Sequence, residues 1–146
     1  IYNTASTFHF ECTYANGVKM IVADNAENKQ GILFEGEEGK NVFVKRGDIK
    51  MNPVELRRER IQENEKHVYK STNHVDDFIK GIYSGGRTAA PIEASHRSIS
   101  VCHLANIAIR LGRESLEWDP KRERVLNDDK ANAMLSRPIR GGWKLR

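Results

Sequence analysis

Histidine changes charge near neutral pH and is the commonest metal ligand, so His9, His67, His74, His96 and His103 are the first places to look for chemistry. His96 and His103 lie seven residues apart, which puts them on one helix face but roughly 10.5 Å apart along its axis, at 1.5 Å per residue. A single metal ion needs its ligands closer. Neither an i, i+4 histidine pair nor a compensating cluster of thiolates or carboxylates is present. With Ser100 and Arg110 these two histidines make a polar stripe on an otherwise apolar helix. A buried stripe of this kind needs hydrogen-bond partners; bonding within the fold is the plainer role and substrate contact the alternative. His74, near a helix start, poses the same choice, while His9 and His67 read as strand-face or surface residues.

The acidic pairs Glu37-Glu38, Asp76-Asp77 and Asp128-Asp129 have the composition of acid-base carboxylates. The first fits a turn, and the other two fit first turns of helices, where the helix dipole favours negative charge. No G-x-G-x-x-G, G-x-x-x-x-G-K-[ST] or G-x-S-x-G occurs, so the sequence carries neither a recognisable phosphate-binding glycine loop nor a nucleophile elbow. Cys12 and Cys102 sit among apolar neighbours without zinc or redox spacing and are expected to be buried, reduced thiols. Arg57, Arg58 and Arg60 are offset by Glu55 and Glu59 and read as a solvated charged face.

Several elements must position these groups. In "STFHFECTYANGVKMIVADN" the Asn16-Gly17 dipeptide predicts a two-residue hairpin turn. That closure would put Cys12 opposite Ile21 and Phe10 opposite Ala23, with Phe8 and Tyr14 on the same apolar face and Met20 and Val22 on the mixed one. "QGILFEG" and "KNVFVKRG" flank Glu37-Glu38-Gly39 as a second pair, so four strands are expected in one antiparallel meander. "NPVELRRERIQENEKHVYK" fits an exposed short helix or an extended crossing equally well. The period then lengthens to that of helices. Val75, Phe78, Ile79 and Ile82 make an amphipathic helix with Asn73 as N-cap and Gly85-Gly86 as the stop. A second helix runs to Gly112, with Val101, Leu104, Ala105, Ala108 and Leu111 on one face and Cys102 and Ile109 widening it. So broad an arc predicts a largely buried helix. The remainder suggests a strand at Leu116–Trp118 and a helix over Asp128–Leu135, with too little apolar content for its own core. Trp118, Leu135, Ile139 and Trp143 are expected to anchor this tail on another surface.

The chain has 146 residues, 38% apolar and 30% charged, which suits one folded domain. Its net charge of +4 arises wholly after residue 109, where 10 basic residues meet 6 acidic ones, against 14 and 14 before it. Acids such as Glu114, Glu117, Asp119, Asp128 and Asp129 interrupt the bases of that segment, which argues against a nucleic-acid partner. No run approaches membrane-spanning length. Ile1 in place of an initiator methionine, with no leader pattern after it, leads us to expect a piece of a longer protein. Any export signal would then lie upstream, and cytoplasmic residence is only the default.

From Gly86 onward, "HRSISVCHLANIAIRLGR", "LEWDP" and "DDKANAMLSRPIRGGWKL" resemble, in order, the end of a bacterial branch of the Gfo/Idh/MocA oxidoreductases. "ANGVKMIVAD", "GILFEGEEGKNVFVKRG" and "HVDDFIKGI" are similar to the meander and first helix of that family's C-terminal domain. The resemblance implies an α+β fold: an open, largely antiparallel sheet with helices packed on one face. It implies, outside this chain, an N-terminal Rossmann domain binding NAD or NADP. It also implies a sugar, cyclitol or related polyol as substrate and homo-oligomerisation through the sheet. The family's Glu-Lys-Pro lysine has no counterpart, because Glu65-Lys66 is followed by His67, and no Gly-x-x-x-His-x-x-Asp segment occurs. No catalytic, cofactor-binding or metal residue is therefore carried over. Position within the family domain makes His74, His96 and Arg97 candidates for the edge of the substrate pocket. The competing reading is a non-enzymatic assembly or ligand-binding module.

Overall fold

The computed structural model describes residues 5–24, 26 and 29–142. Strands β1 (His9–Thr13) and β2 (Lys19–Ala23) form the expected hairpin. Its register differs by one residue from the two-residue closure. The Tyr14 N–H donates to Val18 O at 2.9 Å, the Gly17 N–H donates to Tyr14 O at 2.9 Å, and Gly17 takes φ +84°. The loop is therefore three residues, Ala15-Asn16-Gly17, with glycine in the left-handed position of a bulge. Cys12 then lies across from Met20, not Ile21. Phe10, Cys12, Met20 and Val22 are half-buried, while Ile21 is exposed.

The four-strand meander is also corrected. Strands β3 (Ile32–Glu35), β4 (Asn41–Lys45) and β5 (Asp48–Asn52) make a separate antiparallel sheet in that order. A one-turn 3-10 segment, Glu37–Gly39, joins the first two, with Glu38 at φ +57° and Gly39 at φ +73°. Arg46-Gly47 closes β4 onto β5 in two residues, Lys45 facing Asp48. The segment left open between helix and extended chain starts as a 3-10 turn, Val54–Arg58, and continues without regular structure.

Helix α1 (His74–Ser84) has the expected ends: Asn73 Oδ1 accepts from the Val75 and Asp76 N–H groups at 2.9 and 3.1 Å, and Gly85 is left-handed at φ +62°. Its other side is latched. Asp77 accepts the Tyr69 hydroxyl at 2.6 Å and the Ala89 N–H at 2.7 Å. A Cβ at Gly81 would fall 2.5 Å from Thr88 Cγ2, so the chain leaving the helix folds tightly against it. The apolar stripe of Val75, Phe78, Ile79 and Ile82 nevertheless stays exposed, Phe78 at 61%.

Helix α2 (Ile92–Leu111) ends at Gly112, φ +60°, where the Arg113 N–H reaches Ala108 O at 2.9 Å. It is followed by β6 (Trp118–Asp119), β7 (Arg124–Val125) and α3 (Asp129–Ala133). The expectation of a largely buried α2 is corrected, since Ile107 alone of its residues is buried and Ile99, Cys102 and Ile109 are exposed. The tail has no core of its own, as expected, and packs back on α2: Ile107 (4% exposed) meets Val125 (2%) and Ala131 (0%), and Leu104, Leu111, Leu116, Trp118 and Met134 surround them. Trp118 is thus one of the expected anchors. Leu135 and Ile139 are exposed, and Trp143 lies outside the described residues.

The chain divides into two compact units, one holding Phe10–Ile21 with the chain from Ala90 onward, the other Thr7–His9 with Val22–Ala89. Among the described residues the fold is α+β, with three small antiparallel sheets and three α-helices.

Candidate functional site

The polar stripe of α2 faces a cleft of 780 Å³, within the size range of small-molecule sites. His96, Ser100, His103 and Arg110 form one wall, at the i, i+4, i+7 and i+14 positions expected of one helix face. Glu123, bonded to His96, and the Ser136-Arg137 segment also line it. Leu104, Ile107, Trp118 and Met134 make the base, and these also belong to the core or pack directly on it.

Local hydrogen bonding fixes each part. Asp119 Oδ1 accepts the Lys121 and Arg122 N–H groups at 2.9 and 3.1 Å, which turns the chain between β6 and β7 and keeps the Asp119 carboxyl below the usual carboxylate range. That turn places Glu123, φ +51°, so that its Oε1 meets His96 Nε2 at 2.8 Å and Arg97 Nη1 at 3.3 Å. Arg97 Nε also pairs with Glu93 at 2.8 Å, and its Nη1 donates to Pro120 O at 2.8 Å. The guanidinium thus ties α2 to the β6–β7 turn at several points.

On the far side of β7, Asn132 accepts the Val125 N–H at 2.9 Å and donates to Val125 O at 2.8 Å. Asp128 caps α3 through the Ala131 N–H at 3.0 Å and pairs with Arg113 Nε at 2.7 Å. The arginine, then the Ala131 N–H, hold the Asp128 carboxyl below the usual carboxylate range. Sequence reading found the stripe on α2 but not its partners. Glu123 lies 27 residues from His96, and nothing in local spacing marks it.

Of the three sequence candidates, the structure brings His96 and Arg97 together on Glu123. Arg97 does not line the cleft; it bonds Glu93, Pro120 and Glu123. His74 is exposed in the first turn of α1 and belongs to the other compact unit. Beside it, the Ala89 N–H and the Tyr69 hydroxyl hold the Asp77 carboxyl down, and that same bond raises the Tyr69 hydroxyl above its ordinary range.

The cysteine expectation holds in part. Both thiols are free, Cys12 is half-buried with its thiol pushed up chiefly by burial, but Cys102 is exposed. No group of three metal-binding side chains occurs among the described residues, and no helix there is long and apolar enough to cross a membrane.

A dinucleotide needs unoccupied backbone N–H groups at a helix start, close backbone approach and no opposing charge. The starts of α1 and α2 do not offer this arrangement. At the start of α1 Asn73 already occupies N–H groups and Asp76 and Asp77 follow, and α2 opens on Pro91 with Glu93 in its first turn.

The model of a family described as "Oxidoreductase family, C-terminal alpha/beta domain" matches residues 3–145. No curated protein and no solved structure shows significant similarity to the chain. The family match spans nearly the whole sequence and agrees with the α+β architecture, so the chain belongs to the Gfo/Idh/MocA oxidoreductases as their C-terminal domain.

Proposed function

We propose that the chain is the substrate-side and oligomerisation domain of an NAD(P)-dependent oxidoreductase acting on a sugar, cyclitol or related polyol. The observation that carries this reading is the cleft beside α2, where hydroxyl, imidazole, guanidinium and carboxylate groups stand over an apolar base. A polyol ring presents polar edges and apolar faces, and such a lining matches both. His96, oriented by Glu123, offers an imidazole for a hydrogen bond to a substrate hydroxyl. The chain's own residues would bind and orient the substrate. Cofactor binding would fall to a nucleotide-binding domain outside this chain, which alone is catalytically incomplete.

Self-association through the sheet is supported by β3, whose Ile32, Leu33 and Phe34 are all more than half exposed although they alternate between its faces. The test of function is nicotinamide reduction by the full-length gene product over a panel of hexoses, cyclitols and linear polyols. Failure of all of them with both NAD and NADP would refute the reading. Retained self-association in light scattering would then favour the non-enzymatic assembly module.

A further inference from the structure

We infer that the cleft beside α2 recognises an anionic group, so that its ligand is a hydroxylated anion, a sugar acid or a sugar phosphate. This rests on the assignment of the cleft to the substrate and narrows the substrate class. Three of its lining side chains are formally charged at neutral pH: Arg110, Arg137 and Glu123. Glu123 is engaged by His96 and Arg97. Arg97, Arg113 and Arg122 in the same unit each lie within ion-pair distance of a carboxylate, whereas Arg124 and Arg140, which do not line the cleft, do not among the described residues. Among the described residues Arg110 and Arg137 have no such partner and no side-chain hydrogen bond. Their guanidinium forks keep their donors for a planar carboxylate or a phosphate, the groups that bidentate geometry fits best.

The dipole at the end of α2 accounts for a cation at Arg110. It does not account for Arg137, which reaches the same cleft from the segment after α3. A neutral polyol would give neither cation a counter-charge on displacing water. Ser100 and His103, on the wall with Arg110, supply hydrogen-bonding groups for hydroxyls, so charge and hydroxyl recognition share one surface.

The test is calorimetric titration of the 146-residue chain at low salt with glucuronate, glucose 6-phosphate, glucose and inorganic phosphate. We expect at least one anionic sugar to bind at least tenfold more tightly than glucose and to weaken as salt is raised. Glucuronate binding more tightly identifies a carboxylate source, and glucose 6-phosphate a phosphate source. The Arg110→Gln/Arg137→Gln double variant should lose tenfold or more, Arg110→Lys an intermediate amount, and Arg124→Gln, outside the cleft, nothing. Equal binding of glucose and both anionic sugars overturns the anion site while leaving the polyol reading intact. So does inorganic phosphate binding as tightly as either sugar, which would mean an adventitious ion only. No saturable binding by any of the four also overturns it, and the turnover assay then judges the polyol reading separately. An equal loss in Arg124→Gln would trace the effect to overall charge and overturn it as well.

Discussion

Replacing Asn132 by alanine tests whether the tail is held by its hydrogen bonds as well as by its apolar contacts. The amide spans both backbone groups of Val125, at 2.9 and 2.8 Å, and Val125 is the most buried residue of its strand. Removing it takes the side-chain partner from an N–H and a C=O where water has little access. Each buried group left in this way costs about 1–3 kcal/mol, so the pair should cost about 2–6 kcal/mol. Urea unfolding followed by Trp118 fluorescence, in a Trp143→Phe background, reads the change, because Trp118 packs on the same cluster. Asn132→Asp should cost at least as much, since it keeps the acceptor but sets a carboxylate against Val125 O. A loss below about 0.5 kcal/mol in Asn132→Ala, within the usual scatter for surface substitutions, would show that the apolar cluster alone holds β7 and that the amide is incidental.

Ile107→Ala should destabilise this unit by about 2–5 kcal/mol, the usual range for truncating a buried aliphatic side chain; a melt that matches the parent would refute the placing of the core. Arg113 and the Ala131 N–H lower the Asp128 carboxyl, so their stabilisation is present above the unfolded aspartate value and is lost as pH falls through the folded one. Arg113→Met should therefore move the Asp128 titration midpoint upward and bring acid unfolding to a higher pH, and an unmoved midpoint in a carbon-detected NMR titration would contradict the pairing. Gly31→Ala would set a methyl 2.5 Å from the Phe43 ring and 2.8 Å from Val44 O, at φ +148°, and overpacking of this kind costs about 1–3 kcal/mol. Retained stability in chemical denaturation would show that the β3–β4 edge yields more easily than its geometry suggests.

Signals confined to a few residues were legible in the sequence. Asn73 and Gly85 bound α1 and Gly112 ends α2, because caps and left-handed stops act within one turn of chain; the third helix was legible too, but it is shorter, Asp129–Ala133, and Asp128 is its N-cap and not part of its first turn. The hairpin itself was legible but its register was not, since Asn16-Gly17 serves a two-residue turn and a three-residue bulge alike, and the choice inverts which of Met20 and Ile21 faces inward. Strand β5 is absent from the expected four strands although Ile49 and Met51 alternate with Lys50 and Asn52; Gly47, the last residue of "KNVFVKRG", is the second residue of a hairpin turn that leads into it. At the site, the stripe on α2 was visible from periodicity. Glu123 and the Asn132 clamp were not, because their partners meet only after β6 and β7 have paired. The expectation of a largely buried α2 failed for a related reason: apolar periodicity says which residues share a face, not what covers it.

The latch behind α1 has a consequence for the face in front of it. Tyr69 precedes the helix and Ala89 follows it, yet both close on one carboxylate, Asp77, while Thr88 abuts Gly81. The helix is thus pinned to its flanking chain by polar contacts and tight sterics that do not involve Phe78 or Ile82. A surface helix usually gains its orientation from apolar burial; here the apolar ridge is orientated relative to its flanking chain before anything covers it. Any surface that does so meets side chains on a backbone already ordered, and the loss of conformational freedom that weakens association with flexible segments has been incurred during folding. Cutting the latch with Asp77→Ala would leave every exposed side chain of that ridge in the sequence and remove only its rigidity.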